Sequence, residues 1–137
     1  MDNTIKTISL KCNYLPNVTN LDEEREIVTT VLHNLLNRFP SEHNTNTLHD
    51  CIYALNDYSH APFEYMITPG RYVRYLNTSN AYAMVLKTGG FVVQDNTYTI
   101  TLRNAFGIFK VNKRNNIWFM RINDNDKFKI GLNNYNP

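Results

Sequence analysis

Apolar residues in the first half of the chain recur every three or four positions, which is the spacing of one face of an α-helix. Asn20 can cap such a helix, with Glu23 three residues on completing a capping box, and Pro40 ends it. Residues 4–12, which precede this region, end in an alternating pattern that predicts a short strand. The predicted helix carries one apolar stripe, formed by Ile27, Val28, Val31, Leu32, Leu35, Leu36 and Phe39.

A second, shorter helix is predicted after the polar loop Ser41–Asn46. Thr47 with Asp50 marks its N-terminus, and the helical pattern ends near Tyr58. Its stripe consists of Leu48, Cys51, Ile52 and Leu55. Two amphipathic helices joined by a loop predict a helical hairpin, which must bury its apolar side against another layer.

From residue 63 onward the hydrophobic period changes from 3.6 to 2, which predicts strands. Pro69-Gly70 and Gly89-Gly90 are among the predicted turns between them. Many short strands with tight turns indicate an antiparallel, barrel-like sheet, so the predicted fold class is α+β. The predicted strands are Phe63–Ile67, Tyr72–Leu76, Ala81–Lys87, Gly90–Gln94, Tyr98–Arg103, Phe106–Val111, Ile117–Ile122 and Phe128–Leu132.

The 137 residues predict a single domain with two unlike parts, a helical part over residues 1–62 and an all-β part over residues 63–137. Charge is distributed unevenly along the chain. Residues 1–68 carry four basic and nine acidic side chains, whereas residues 69–137 carry ten basic and three acidic ones. This asymmetry predicts two surfaces with different partners, or surfaces that complement each other.

The location of the protein is predicted from features that the sequence lacks. No apolar run approaches the length of a membrane span, and the N-terminus shows no secretory signal pattern. The two cysteines, Cys12 and Cys51, make no disulfide framework. We therefore expect an intracellular protein.

The residues that carry catalytic and metal chemistry form no recognisable motif. Ser59-His60 is an isolated pair, and Cys51 lies on an apolar helix stripe. His43, His49 and His60 have loose spacing for a metal site. Asp124 and Asp126 lie in a turn-like run that lacks the glycine and the closing acidic residue of a calcium loop. We expect no enzyme activity, no cofactor and no metal.

Basic and aromatic residues concentrate in the second half of the chain. Single-strand-binding barrels stack bases on aromatic rings and contact phosphates with Arg and Lys. The alternative is that the aromatic rings fill the core while the cations keep the surface hydrated. The candidate site for nucleic acid or another partner comprises Arg71, Tyr72, Arg74, Lys110, Lys113, Arg114, Trp118 and Arg121.

The order of turns and strands in this half resembles that of known small proteins. The pattern runs through the segments 69–76, 87–93, 99–104 and 117–120. It resembles small, mostly uncharacterised proteins of large double-stranded DNA viruses, and also SH3-like small β-barrels. The resemblance implies a viral protein, as a minor structural component of the particle, and carries no catalytic residues across.

Two functions are consistent with these observations. The first is a non-enzymatic structural or interaction protein of viral origin, a virion component or assembly adaptor that acts through protein partners or self-assembly. The second is a nucleic-acid-binding module that uses the basic and aromatic residues of the sheet. Whether those side chains share an exposed face discriminates between the two.

Overall fold

The computed structural model describes residues 21–61 and 67–128. Helix α1 spans Leu21–Arg38, in agreement with the predicted stripe. Asp22, Glu23 and Glu24 lie in its first turn and Arg38 in its last, which matches the helix dipole at both ends. Val28 and Leu32 are buried, so most of the apolar stripe faces the rest of the domain. Ile27, which the sequence pattern places in the same stripe, is 47% exposed.

Helix α2 spans Glu42–Ala54 and begins five residues before the predicted start. Ser41 is the N-cap, and its hydroxyl accepts a hydrogen bond of 3.0 Å from the Asn44 backbone N–H. The predicted loop over Ser41–Asn46 is therefore wrong. Asn44 is fully buried, and its side chain is satisfied there, since it donates to the Phe39 and Ala81 carbonyls and accepts from the Met84 N–H. A polar residue at this helix position thus has a tertiary role that the local pattern does not reveal.

The strands form one antiparallel sheet in the order β1-β6-β2-β3-β4-β5. The α+β class is confirmed, and the sheet is open rather than closed into a barrel. Of the predicted strands, residues 4–12, 63–66 and 129–132 lie outside the described residues. The two remaining residues of the strands predicted over Phe63–Ile67 and Phe128–Leu132 are not in strands, because Ile67 is in irregular structure and Phe128 lies in a helical turn over residues 124–128. The six strands are β1 (Tyr58–His60), β2 (Tyr72–Asn77), β3 (Val85–Asp95), β4 (Thr99–Asn104), β5 (Gly107–Asn112) and β6 (Asn116–Arg121).

Strand β1 is an element that the sequence pattern does not predict. Tyr58 was assigned to the end of a helix and Ser59-His60 to the segment after it, yet all three residues pair with β6. Three residues are too few to show a period, so only the pairing partners, 59 to 63 residues away in sequence, identify this strand.

Gly89-Gly90 was predicted as a hairpin turn, and this prediction is wrong. Strand β3 runs without interruption through both glycines, which lie where its register with β2 shifts. Gly89 has φ +71°, and a Cβ there would lie 1.8 Å from the Val73 carbonyl oxygen. A Cβ on Gly90 would lie 2.6 Å from the Arg103 carbonyl oxygen. The two glycines therefore form a β-bulge with neighbouring backbones on both sides, rather than a chain reversal.

The two faces of the sheet are both apolar over the central strands. On one face, Leu76 and Phe119 pack with the buried stripes of α1 and α2. On the opposite face, Tyr75, Trp118 and Met120 belong to a second cluster with residues of β3 and β4. The helices thus cover one part of one face, and the rest of that face, toward β3, β4 and β5, carries exposed side chains.

Candidate functional site

A row of large side chains crosses the sheet on the helix-bearing face, beyond the helices. Directly opposed residues of antiparallel strands point to the same face, so the pairing register identifies its members. Tyr58 pairs with Arg121, Tyr72 with Phe91, Phe91 with Arg103, and Arg103 with Ile108. We call the part of this series outside the buried core the cross-sheet row; its members are Arg121, Tyr72, Phe91, Arg103 and Ile108. Tyr72 is half-buried and the other four are exposed.

Three members of the row form a stacked cluster. The Arg121 guanidinium carbon lies 4.4 Å from the centre of the Tyr72 ring and 5.7 Å from that of Phe91. The Tyr72 and Phe91 rings meet edge to face, with their centres 5.0 Å apart. The Tyr72 hydroxyl donates to the Thr88 carbonyl oxygen, which fixes the ring along the sheet. The cluster is therefore held in place before any ligand arrives, while 42% of Phe91 stays exposed.

The surface around the row is positively charged. Arg103 and Arg121 are exposed, and Lys110 lies on the same face as Arg103, two residues from Ile108. Within strands β2 to β6 the only carboxylate is Asp95, whose cross-strand partner Ile100 belongs to the opposite, buried cluster. An anionic ligand on the row would therefore meet cations without an opposing carboxylate on these strands.

Two of the eight predicted site residues are buried and lie elsewhere. Arg71 is 5% exposed and forms a bidentate ion pair with Asp126, at 2.7 and 3.2 Å, while donating also to the Arg121 carbonyl. Trp118 is likewise 5% exposed and packs against Tyr75 on the face opposite Tyr72. The structure thus does not bring the eight residues together on one face, and Arg71 and Trp118 have structural roles.

Three further predicted residues lie at the margins. Arg74 is half-buried between the row and helix α2, and its Nε donates to the Lys87 carbonyl. Lys113 forms an ion pair of 2.7 Å with Asp95. Arg114 is exposed in the turn between β5 and β6, beside a shallow depression away from the row. Of the predicted set, Tyr72, Lys110 and Arg121 are the residues that belong to the exposed face.

Three members of the cross-sheet row, Phe91, Arg103 and Ile108, are not among the site residues predicted from the sequence. They lie in three different strands, and only the register brings them beside Tyr72. The alternation within each strand gave a partial signal. Val92 and Leu102 are buried, so their neighbours Phe91 and Arg103 must point to the other face of the sheet. The incorrect prediction of a turn at Gly89-Gly90 obscured this signal. A turn at that point would not place Phe91 opposite Tyr72, as the observed register does.

The histidines of the described residues do not converge. The Nε2 atom of His43 lies 2.7 Å from the Met84 carbonyl oxygen, His49 packs edge to face on Tyr53, and His60 packs on Phe119. Burial lowers the pKa of His60 and raises that of Cys51 to about 11. Residues 21–61 and 67–128 contain no group of three or more His, Cys, Asp or Glu side chains arranged to hold a metal ion.

Comparison with known proteins found no matching family model, no similar curated protein and no similar solved structure. The resemblance to viral proteins and small barrels therefore stays a prediction. Across the described part of the chain, no helix combines the length and the apolar character needed to cross a lipid bilayer.

Proposed function

We propose that this protein is a nucleic-acid-binding module that uses the cross-sheet row and Lys110. This set replaces the eight residues predicted from the sequence, which the structure divides between the two faces of the sheet. The observation that supports the proposal is the stacked cluster of Arg121, Tyr72 and Phe91, which lies beside the exposed Arg103. On this face strands β2 to β6 present no carboxylate, because their one carboxylate, Asp95, lies on the opposite face. Exposed aromatic rings and guanidinium groups are the side chains that stack on bases and neutralise phosphates.

The row differs from an ordinary hydrated surface in one respect. Cations that only keep a sheet soluble are scattered and mobile, whereas Arg121 is fixed over two rings. The Arg121 carbonyl accepts a 3.1 Å hydrogen bond from the buried Arg71, which is itself held by Asp126. Preorganised groups lose less entropy on binding, so a surface built in this way favours a specific ligand contact.

A direct test is fluorescence anisotropy with labelled DNA and RNA at low salt. We expect binding by the wild type, and at least a tenfold loss in the Arg103→Glu/Arg121→Glu double variant. The matched control is Arg25→Glu on the exposed side of α1, which makes the same charge change per site outside the sheet. Equal losses in the control, or no binding of any nucleic acid by the wild type, would refute the proposal; circular dichroism checks that each variant is folded.

The second candidate is the structural or adaptor role predicted from the sequence. Its support is the β4–β5 hairpin, where Phe106 is 95% and Ile108 67% exposed. Among the described strands β5 lies at the sheet edge, and an edge strand offers unpaired backbone groups to a strand from another protein. Exposed apolar side chains beside such an edge favour a protein partner or a second copy.

Light scattering tests this alternative without knowledge of the partner. Self-association through the hairpin predicts a concentration-dependent mass above the monomer, which Phe106→Ser with Ile108→Lys abolishes. The control is Tyr53→Ser, which removes a 73% exposed aromatic ring from α2. A monomer at all concentrations would remove self-assembly from consideration and leave the nucleic-acid proposal unaffected.

A further inference from the structure

We infer that the ligand of the cross-sheet row is a single-stranded nucleic acid that lies across the β-strands and is bound largely independently of its sequence. This inference rests on the proposed function and specifies the form of the ligand, its path and its length. It uses the position of the row within the sheet, the exposure of Phe91 and the spacing of the cations.

The position of the row excludes the grooves of a duplex. The major groove of B-DNA accepts a helix or a two-stranded ribbon. Phe91 lies on β3, with β6 and β2 on one side of it and β4 and β5 on the other. A sheet of this width cannot enter a groove, so the rings can reach a base only when that base is unpaired and turned outward.

The exposed ring of Phe91 provides the stacking position. Phe91 meets Tyr72 edge to face, with Arg121 on the same side, and Arg103 lies opposite Phe91 on the next strand. The accessible ring therefore lies between two cationic side chains. In a single strand a base can stack on such a ring while its flanking phosphates reach the guanidinium groups. A duplex would present only phosphates and would leave the apolar ring in contact with water.

The length of the row sets the length of the bound segment. Arg121 and Ile108 lie on strands separated by four steps, or about 19 Å at the usual strand spacing. Nucleotides in one strand are spaced by about 3.4 Å when stacked and by roughly twice that when extended, so the row accommodates about three to six nucleotides. Arg121, Arg103 and Lys110 offer three phosphate contacts, which predicts a salt slope of about −2 for a single strand.

The side chains of the row provide little basis for reading base identity. The row contains no amide or carboxyl side chain, and the Tyr72 hydroxyl already donates to the Thr88 carbonyl. Specific readout needs paired donors and acceptors at a base edge. Stacking is sequence-tolerant, so we expect similar affinities for different homopolymers.

The experiment is a titration of single-stranded homo-oligonucleotides from 2 to about 12 residues long, with a hairpin duplex of equal phosphate number as competitor. We expect affinity to rise with length up to about three to six nucleotides and then level off per site, with at least tenfold preference for the single strand. Phe91→Ala should weaken single-strand binding about five- to a hundredfold and leave duplex binding unchanged. Tyr53→Ala on α2 is the matched aromatic control and should change neither.

The possible failures of the inference and of the proposed function give different results. Equal affinity for duplex and single strand, with no effect of Phe91→Ala but a loss on charge reversal of Arg103 and Arg121, would overturn the inference and keep nucleic-acid binding. Binding of one homopolymer more than about tenfold better than the others would overturn sequence tolerance. Absence of binding to every probe would overturn both, and a protein ligand for the row would then replace them.

Discussion

Asp126→Asn tests the buried ion pair that connects the row to the C-terminal end of the described chain. Both partners are nearly inaccessible, with side-chain exposures of 5% for Arg71 and 0% for Asp126. Asp126 also forms a reciprocal cap with Asn123, in which each backbone N–H donates to the other side chain, at 2.9 and 2.8 Å. Asparagine keeps the shape and one acceptor oxygen, so the substitution removes the charge with little change in packing.

The magnitude follows from removing the Asp126 charge, which is paired with a buried guanidinium. Removing one partner of a buried pair costs about 3–5 kcal/mol, which is a large share of the roughly 5–15 kcal/mol that stabilises a domain. We expect the urea midpoint to fall by more than about 1 M. The assay is urea unfolding followed by the fluorescence of Trp118, the only tryptophan in the chain, which is 5% exposed.

A double variant provides the control. Arg71→Met together with Asp126→Asn removes both charges and keeps an oxygen that can accept from the Asn123 N–H, and removing a whole buried pair costs less than removing one of its partners. The double variant should therefore be more stable than Asp126→Asn. A loss below about 1 kcal/mol for Asp126→Asn, the range of an exposed ion pair, would refute the argument that this pair is desolvated.

Two further predictions concern the bulge and a buried carboxyl group. Gly89→Ala should destabilise the fold by more than about 2 kcal/mol, because the new Cβ would overlap the Val73 carbonyl. Gly70→Ala is the control: Gly70 has φ +89° with open space around it, so the substitution should cost about 1 kcal/mol. The urea midpoints of the two variants check this difference. Glu24 is 5% exposed, and burial, with a contribution from Glu23, raises its pKa to about 7. The folded state therefore holds a proton that the unfolded state releases near pH 4.5, so stability should fall as pH rises from 4.5 to about 7. Glu24→Gln should remove this fall in stability and should be more stable than the wild type at pH 8, by on the order of 3 kcal/mol. If urea titrations give the variant the same pH profile as the wild type, the raised pKa of Glu24 is contradicted.

The elements with a strong local signal were predictable from the sequence. Helix α1 was identified from its apolar stripe and from Pro40 after it, because helical periodicity over 18 residues reports a buried face directly. Pro69-Gly70 was identified as a turn, and the Arg71 N–H indeed bonds to the Thr68 carbonyl across it with Gly70 at φ +89°. Strands β2, β4, β5 and β6 agree with the predicted segments to within about two residues, since alternation is also a local property.

The candidate site depended on register, which a local pattern does not contain. Tyr72 and Arg121 were predicted as site residues from composition, but Arg71 and Trp118 have the same chemistry and are buried. The side of the sheet on which a side chain lies depends on alternation, on the bulge at Gly89-Gly90 and on the ion pair with Asp126, 55 residues from Arg71. The sequence by itself determined the α+β class, the first helix and a basic, aromatic second half. Only the tertiary structure decided which of those cations and rings share an exposed face, because antiparallel pairing across five strands joins residues that are far apart in the chain.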